Sequence, residues 1–144
     1  MSFYTKKNIL MMIYYALFQN IAFYGIEAWG GAYNNVSNPL TNIQNRLLKI
    51  IGVEQNCVIN FKQAFVLNSI LINYDKLKSD YINSTSITRN KNLHFKAQKS
   101  IGFKNHKIVA TKYFNVLPSH LKILNSSKKT IKNNIKQHII STKI

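Results

Sequence analysis

Any chemistry in this chain falls to its cations. Its 144 residues carry 20 Lys and Arg against 4 Asp and Glu, a formal net charge of +16. The carboxylates are Glu27, Glu54, Asp75 and Asp80; none forms an Asp-Asp pair, and Asp75 and Asp80 stand five apart on what reads as a solvated helix face. Two-metal phosphoryl transfer needs clustered carboxylates to hold its cations, and this chain offers no such cluster. A glycine loop that would cradle phosphate is missing, as is a Ser, His and Asp set with supporting context. Four His and the single Cys57 lack zinc-ligand spacing, and His94 and His106 read as surface residues of a basic segment. The expectation is a chain that is not an enzyme and has no metal, cofactor or small-molecule substrate.

A polyanion is what the cations suit. Residues 81–144 hold twelve Lys and one Arg and not one acid, whereas residues 1–57 contribute only +2, from Lys6, Lys7, Arg46 and Lys49 against Glu27 and Glu54. Sustained charge of one sign concentrates phosphate near the surface and releases condensed counterions on contact. A/T-rich coding bias accounts for 19 Asn, 18 Lys and abundant Ile, but not for the shortage of Asp and Glu, whose codons suit the same bias. The expected contacts are Arg46, Lys49, Arg89, Lys96, Lys99, Lys128, Lys129, Lys132 and Lys136. The expected partner is nucleic acid, whether DNA, RNA or hybrid, gripped without sequence preference.

Apolar spacing and punctuation define the elements that must position these residues. Residues 9–18, ILMMIYYALF, form an unbroken apolar run behind Lys6 and Lys7, an order that imitates a signal peptide. Gln19 and Asn20 interrupt it after ten residues, and no small-x-small site comes after them. A span extended to Trp29 would take in Gln19, Asn20 and Glu27, which argues against a membrane crossing. The run reads instead as a helix packed on most sides, with Asn8, Tyr15 and Gln19 as its one polar stripe. The lone Cys57 rules out an internal disulfide and fits a reducing compartment, so the expected location is intracellular, nuclear or cytoplasmic.

Gly30-Gly31 with Asn34-Asn35 reads as a turn, after which Asn38 is an N-cap and Pro39 the first helical residue. Leu40, Ile43, Leu47 and Ile50 keep helical spacing to a stop at Gly52, with Arg46 and Lys49 three apart on the polar side. Phe61, Phe65, Tyr74, Leu77 and Tyr81 predict one or two further helices, with Asn68 and Asn73 as weak points. Residues 83–92, NSTSITRNKN, are polar and without periodicity, and read as a linker. Leu93, Phe95 and Ala97 alternate with His94, Lys96 and Gln98, and Ile101 and Phe103 restore the period, which predicts a short strand or extended segment over 93–103. After Asn125-Ser126-Ser127 a helix with Ile131, Ile135 and Ile139 on one side and Lys128, Lys129, Lys132 and Lys136 on the other is predicted. Its Ile-only apolar face argues against lipid as its partner. The fold class is mainly α: a small helical bundle divided into a lobe at 1–82, a linker at 83–92 and a basic extension at 93–144.

Two blocks resemble a known family. Residues 13–33, IYYALFQNIAFYGIEAWGGAY, succeeded by residues 38–52, NPLTNIQNRLLKIIG, are similar to the segment downstream of the palm in the reverse transcriptases of animal non-LTR retrotransposons. The matching features are Tyr24-Gly25, Trp29-Gly30 and Gln44-Asn45-Arg46. The second block is Thr88-Arg89-Asn90 with Tyr113-Phe114-Asn115-Val116-Leu117-Pro118, where Phe114 takes the place of a common Trp. The spacing between Gly52 and Thr88 is shorter than the family's. The resemblance implies a thumb-like, template-primer-gripping part of an RNA-directed DNA polymerase, without the palm and its paired aspartates. It leaves open a membrane-associated or secreted protein using residues 9–18, and a non-functional relic of such an element.

Overall fold

The computed structural model describes residues 3–32, 34–83, 93 and 105–142. Among them the order is α1 (Phe3–Ile13), a π-helical segment (Tyr14–Gln19), α2 (Asn20–Phe23), α3 (Ile26–Trp29), α4 (Asn34–Ile51), a 3₁₀ turn (Gln55–Cys57), α5 (Phe61–Asn83), α6 (His106–Val116), α7 (Ser119–Lys122) and α8 (Lys128–Ser141). The mainly α class expected from the sequence is what is found, with no strand among the described residues. The predicted strand over 93–103 and the linker over 83–92 lie outside them, apart from Asn83, which ends α5, and Leu93. The backbone N–H and C=O of Leu93 are both taken by the side-chain amide of Asn115, at 2.9 and 3.1 Å.

α5 is the organising element. A capping box starts it: the Asn60 side chain accepts from the Gln63 N–H at 2.9 Å, and the Gln63 side chain accepts from the Asn60 N–H at 3.1 Å. Two of the helix's unpaired N-terminal donors are thereby satisfied, and the helix runs unbroken through Asn68 and Asn73. Asn73 turns its amide back onto the Ser69 carbonyl, and Asn68 reaches out to Glu27. Phe61, Phe65, Tyr74, Leu77 and Tyr81 are all buried. One hydrophobic cluster joins Phe65, Tyr74, Leu77 and Tyr81 to Ile26, to Val109, Ala110 and Phe114 of α6, and to Ile131, Ile135 and Ile139 of α8. The helices on either side of the expected linker therefore share a single core.

α4 begins earlier than predicted. Asn34 and Asn35 are already helical, Asn38 is not a cap, and Pro39 lies inside the helix. Pro39 is the sixth residue of the helix and has no N–H to offer the Asn35 carbonyl, so one intrahelical hydrogen bond is lost there. The predicted stop holds: Gly52 is left-handed at φ 75°, its N–H reaches the Lys49 carbonyl, and the Val53 N–H reaches that of Leu48. This pair of bonds is a Schellman closure, with Val53 packed toward buried Leu48. Lys7 donates to the Gly52 carbonyl at 2.9 Å, placing a cation at the negative end of the helix dipole.

The N-terminal rod departs most from expectation. Residues 3–23 are helical throughout, but only Met11, Tyr14, Phe18 and their neighbours along one narrow stripe pack inward. Met12, Leu17 and Ile21 are 70%, 63% and 73% exposed, so the apolar run is not packed on most sides. α4 and α5 lie against a single side of the rod, and nothing described covers the other. The π-helical turn also moves Gln19 off the polar stripe shared with Asn8 and Tyr15: the wider turn rotates everything after it, and Gln19 swings inward to half-burial.

Candidate nucleic-acid interface

The α8 lysines owe their arrangement to a cap and three isoleucines. Ser127 caps the helix, its hydroxyl accepting from the Thr130 N–H at 3.3 Å. Ile131, Ile135 and Ile139 are buried against α5, and each such side chain stabilises the seam by about 1.5–3 kcal/mol. The seam fixes the rotation of the helix. Lys128, Lys129 and Lys132 are left exposed and Lys136 half-buried. From Lys128 to Lys136 the helix rises about 12 Å. Lys128 and Lys129 occupy the first turn, where the dipole disfavours cations by about 0.3–1 kcal/mol, a cost that a bound anion offsets.

Two hollows flank this row. One, of about 280 Å³, lies between α5 and α8 and is lined by Leu71, Tyr74, Asp75, Lys128, Lys129, Ile131 and Lys132. The other, of about 430 Å³, opens toward α2 and α3 and includes Gln19, Phe23, Tyr24, Glu27, Asn68, Leu71, Lys132 and Lys136. Lys132 and Leu71 border both, so the hollows adjoin along the α5–α8 seam. Asp75 puts one carboxylate beside three of the lysines. Among the described residues no three of His, Cys, Asp and Glu stand together as metal ligands would.

The structure thus brings Lys128, Lys129, Lys132 and Lys136 into one row. Arg46 and Lys49 are exposed on α4 and line neither hollow. Arg89, Lys96 and Lys99 lie outside the described residues. Three other lysines serve the fold. Besides Lys7, Lys78 donates to the Leu124 carbonyl at 3.3 Å and to the Asn125 side chain. Lys122, only 6% exposed, donates to the Asn115 carbonyl at the end of α6 at 2.7 Å and lies 5.2 Å above the Tyr81 ring. Desolvation pushes the Lys122 ammonium below its ordinary pKa.

The motif residues find structural explanations. Gly25 is left-handed at φ 65°, breaking α2 from α3, and the Trp29 indole donates to the Tyr24 carbonyl across that turn at 3.0 Å. Gly30 is needed for a different reason: a Cβ there would stand 2.5 Å from Phe65 Cδ2 and 2.4 Å from the Ile26 carbonyl oxygen. Gln44, 1% exposed, donates to the Tyr14 hydroxyl at 2.8 Å and to the Ile59 carbonyl at 3.0 Å, pinning the rod and α5's approach to α4. Phe114 is fully buried, edge-on to Tyr74 and Tyr81. Sequence reasoning does not single out Gln19, Phe23 and Tyr24 as a site. The visible signal is an aromatic pair beside a polar break in an apolar run.

Comparisons of the chain with protein-family models, curated proteins and solved structures found no match.

Proposed function

We propose that this chain is a non-catalytic nucleic-acid-binding module, akin to the thumb-like part downstream of the palm in a non-LTR retrotransposon reverse transcriptase. The observation that carries the reading is the lysine row of α8, held outward by a buried isoleucine seam and flanked by two hollows. Lysines so held meet phosphates without reading bases, so this grip carries no sequence preference of its own and is strong only at low salt. The ancestry rests on the sequence resemblance of residues 13–33, 38–52, 88–90 and 113–118. Fluorescence anisotropy with labelled duplex and single-stranded oligonucleotides over a range of salt concentrations tests the proposal. With about five phosphates contacted, the slope of log K against log salt is about −4.5 on duplex DNA and about −3.5 on single strands. A flat salt response, or no binding at low salt, contradicts it.

One observation favours a second reading. The outward face of the rod, with Met12, Leu17 and Ile21 exposed and Lys6 near its start, has the make-up of a helix that lies on a lipid surface. Among the described residues no helix is long and apolar enough to cross a membrane. Flotation with anionic vesicles separates the readings: Leu17→Lys with Ile21→Lys abolishes flotation on the lipid reading and leaves oligonucleotide binding intact on the first.

A further inference from the structure

We infer that the 430 Å³ hollow between α2, α3, α5 and α8 receives one unstacked nucleobase of the bound strand, guanine in preference to the others. The inference rests on the nucleic-acid reading above and adds a base-specific subsite to it. The volume falls in the range of small-ligand pockets, about 300–1,000 Å³. The wall combines what a base needs. Phe23 gives it an aromatic side, and Tyr24, 85% exposed at the left-handed Gly25 turn, stands at its edge as a free stacking surface. Lys132 and Lys136 from the α8 row border the same hollow, placing cations where the flanking phosphates of a turned-in nucleotide would lie.

The polar groups select the base. Gln19 Oε1 is shut away from solvent with no hydrogen-bond partner, which costs about 1–3 kcal/mol until a donor arrives. It sits at the end of the π-helical segment, a distortion frequent at functional sites, and it lines the hollow. The oxygen is enclosed as the side chain stands, so base entry includes a turn of the whole Gln19 side chain toward the hollow it lines, which brings Oε1 to face an entering donor. On the same wall Glu27 is held by the Asn68 amide, whose Nδ2 donates to Glu27 Oε1 at 3.0 Å. A carboxylate only accepts. Acceptors on the wall call for donors on the ligand, and guanine alone among the common bases offers N1–H and N2–H₂ side by side. Uracil and thymine have one N3–H flanked by two carbonyl oxygens that the carboxylate repels, and adenine and cytosine set their amino group beside a ring acceptor.

The test compares two labelled single strands by anisotropy at low salt: a twelve-nucleotide oligo(U), and the same strand with one central guanosine. The guanosine strand should bind roughly tenfold more tightly, within the discrimination typical of a well-made base contact. Tyr24→Ala and Gln19→Met should each reduce that ratio toward one while leaving the salt slope unchanged. Tyr24→Phe should restore it. Tyr24 is too exposed for its loss to unfold the chain, and circular dichroism checks Gln19→Met. Equal affinity for the two strands, with salt-sensitive binding intact, overturns the base subsite and spares the phosphate grip. Absence of binding to either strand at low salt overturns both.

Discussion

The rod of residues 3–23 and the assembly of α5, α6 and α8 use similar apolar side chains to opposite ends. In the assembly Ile70, Phe114, Ile135 and Ile139 are wholly buried and the cations face out; in the rod Tyr14 is buried while Met12, Leu17 and Ile21 face out. The denser apolar run is thus the less buried one. Burial is decided by how many partners each helix has: α5 is covered by α3, α4, α6 and α8, and the rod is covered on one side only, by α4 and the start of α5. Hydrophobic content measures the driving force for burial, and topology decides whether it is used.

The sharpest way to break this contrast is to remove one large side chain from each region. Phe114→Ala should cost about 3–5 kcal/mol in chemical denaturation, whereas Met12→Ala should stay within about 0.5 kcal/mol. Comparable losses would mean that the rod's outer face is covered in solution. Gly30→Ala probes the join between the regions, where the added methyl meets Phe65 and the Ile26 backbone, and should cost about 1–3 kcal/mol. A neutral result would show that α3 can lift from α5 freely.

A smaller effect separates the two regions by pH. Burial raises the Tyr14 hydroxyl above its ordinary pKa of 10.0, against the opposing hydrogen bond from Gln44, and desolvation raises Tyr74 likewise. The unfolded chain ionises these groups first, so the stability they give is full below pH 10 and is lost as pH climbs through the raised values. Lys122 has the opposite sign, since its lowered pKa penalises the charged folded form and that penalty is relieved as pH rises. Denaturation midpoints from pH 8 to 11 should fall less steeply in Tyr14→Phe than in the parent. Identical slopes would mean that Tyr14 is solvated and the rod is loosely docked. Smallest of all should be the stability change in Lys128→Ala, Lys129→Ala, Lys132→Ala or Lys136→Ala, within about 0.5 kcal/mol each.

Legibility in the sequence divides along the same contrast. α8 is legible with its cap and both faces, because Ser127, the isoleucine spacing and the lysines all agree at short range. The Gly52 stop and the buried side of α5 are equally local, and so is the Asn60–Gln63 capping box, a short-range signal that the apolar spacing of α5 overshadows. The start of α4 differs from expectation because Pro39 fits a first turn best, whereas the helix has already begun at Asn34. The exposed rod is not legible, since nothing within residues 3–23 says how many neighbours they have. The lysine side of the site is readable from charge. Gln19 and Tyr24 are not, because a π-helical turn and a left-handed glycine bring them to the hollow, and neither has a periodic signature.

The central claim is that the α8 lysines grip phosphate, and the salt slope tests it most directly. A variant with Lys128, Lys129, Lys132 and Lys136 all changed to Ala should be measured beside the parent on one single-stranded oligonucleotide, with circular dichroism confirming an unchanged fold. The account predicts a slope shallower by about 0.7 for each lysine removed, together with much weaker binding at low salt. An unchanged slope and affinity would place the phosphate contacts elsewhere and contradict it.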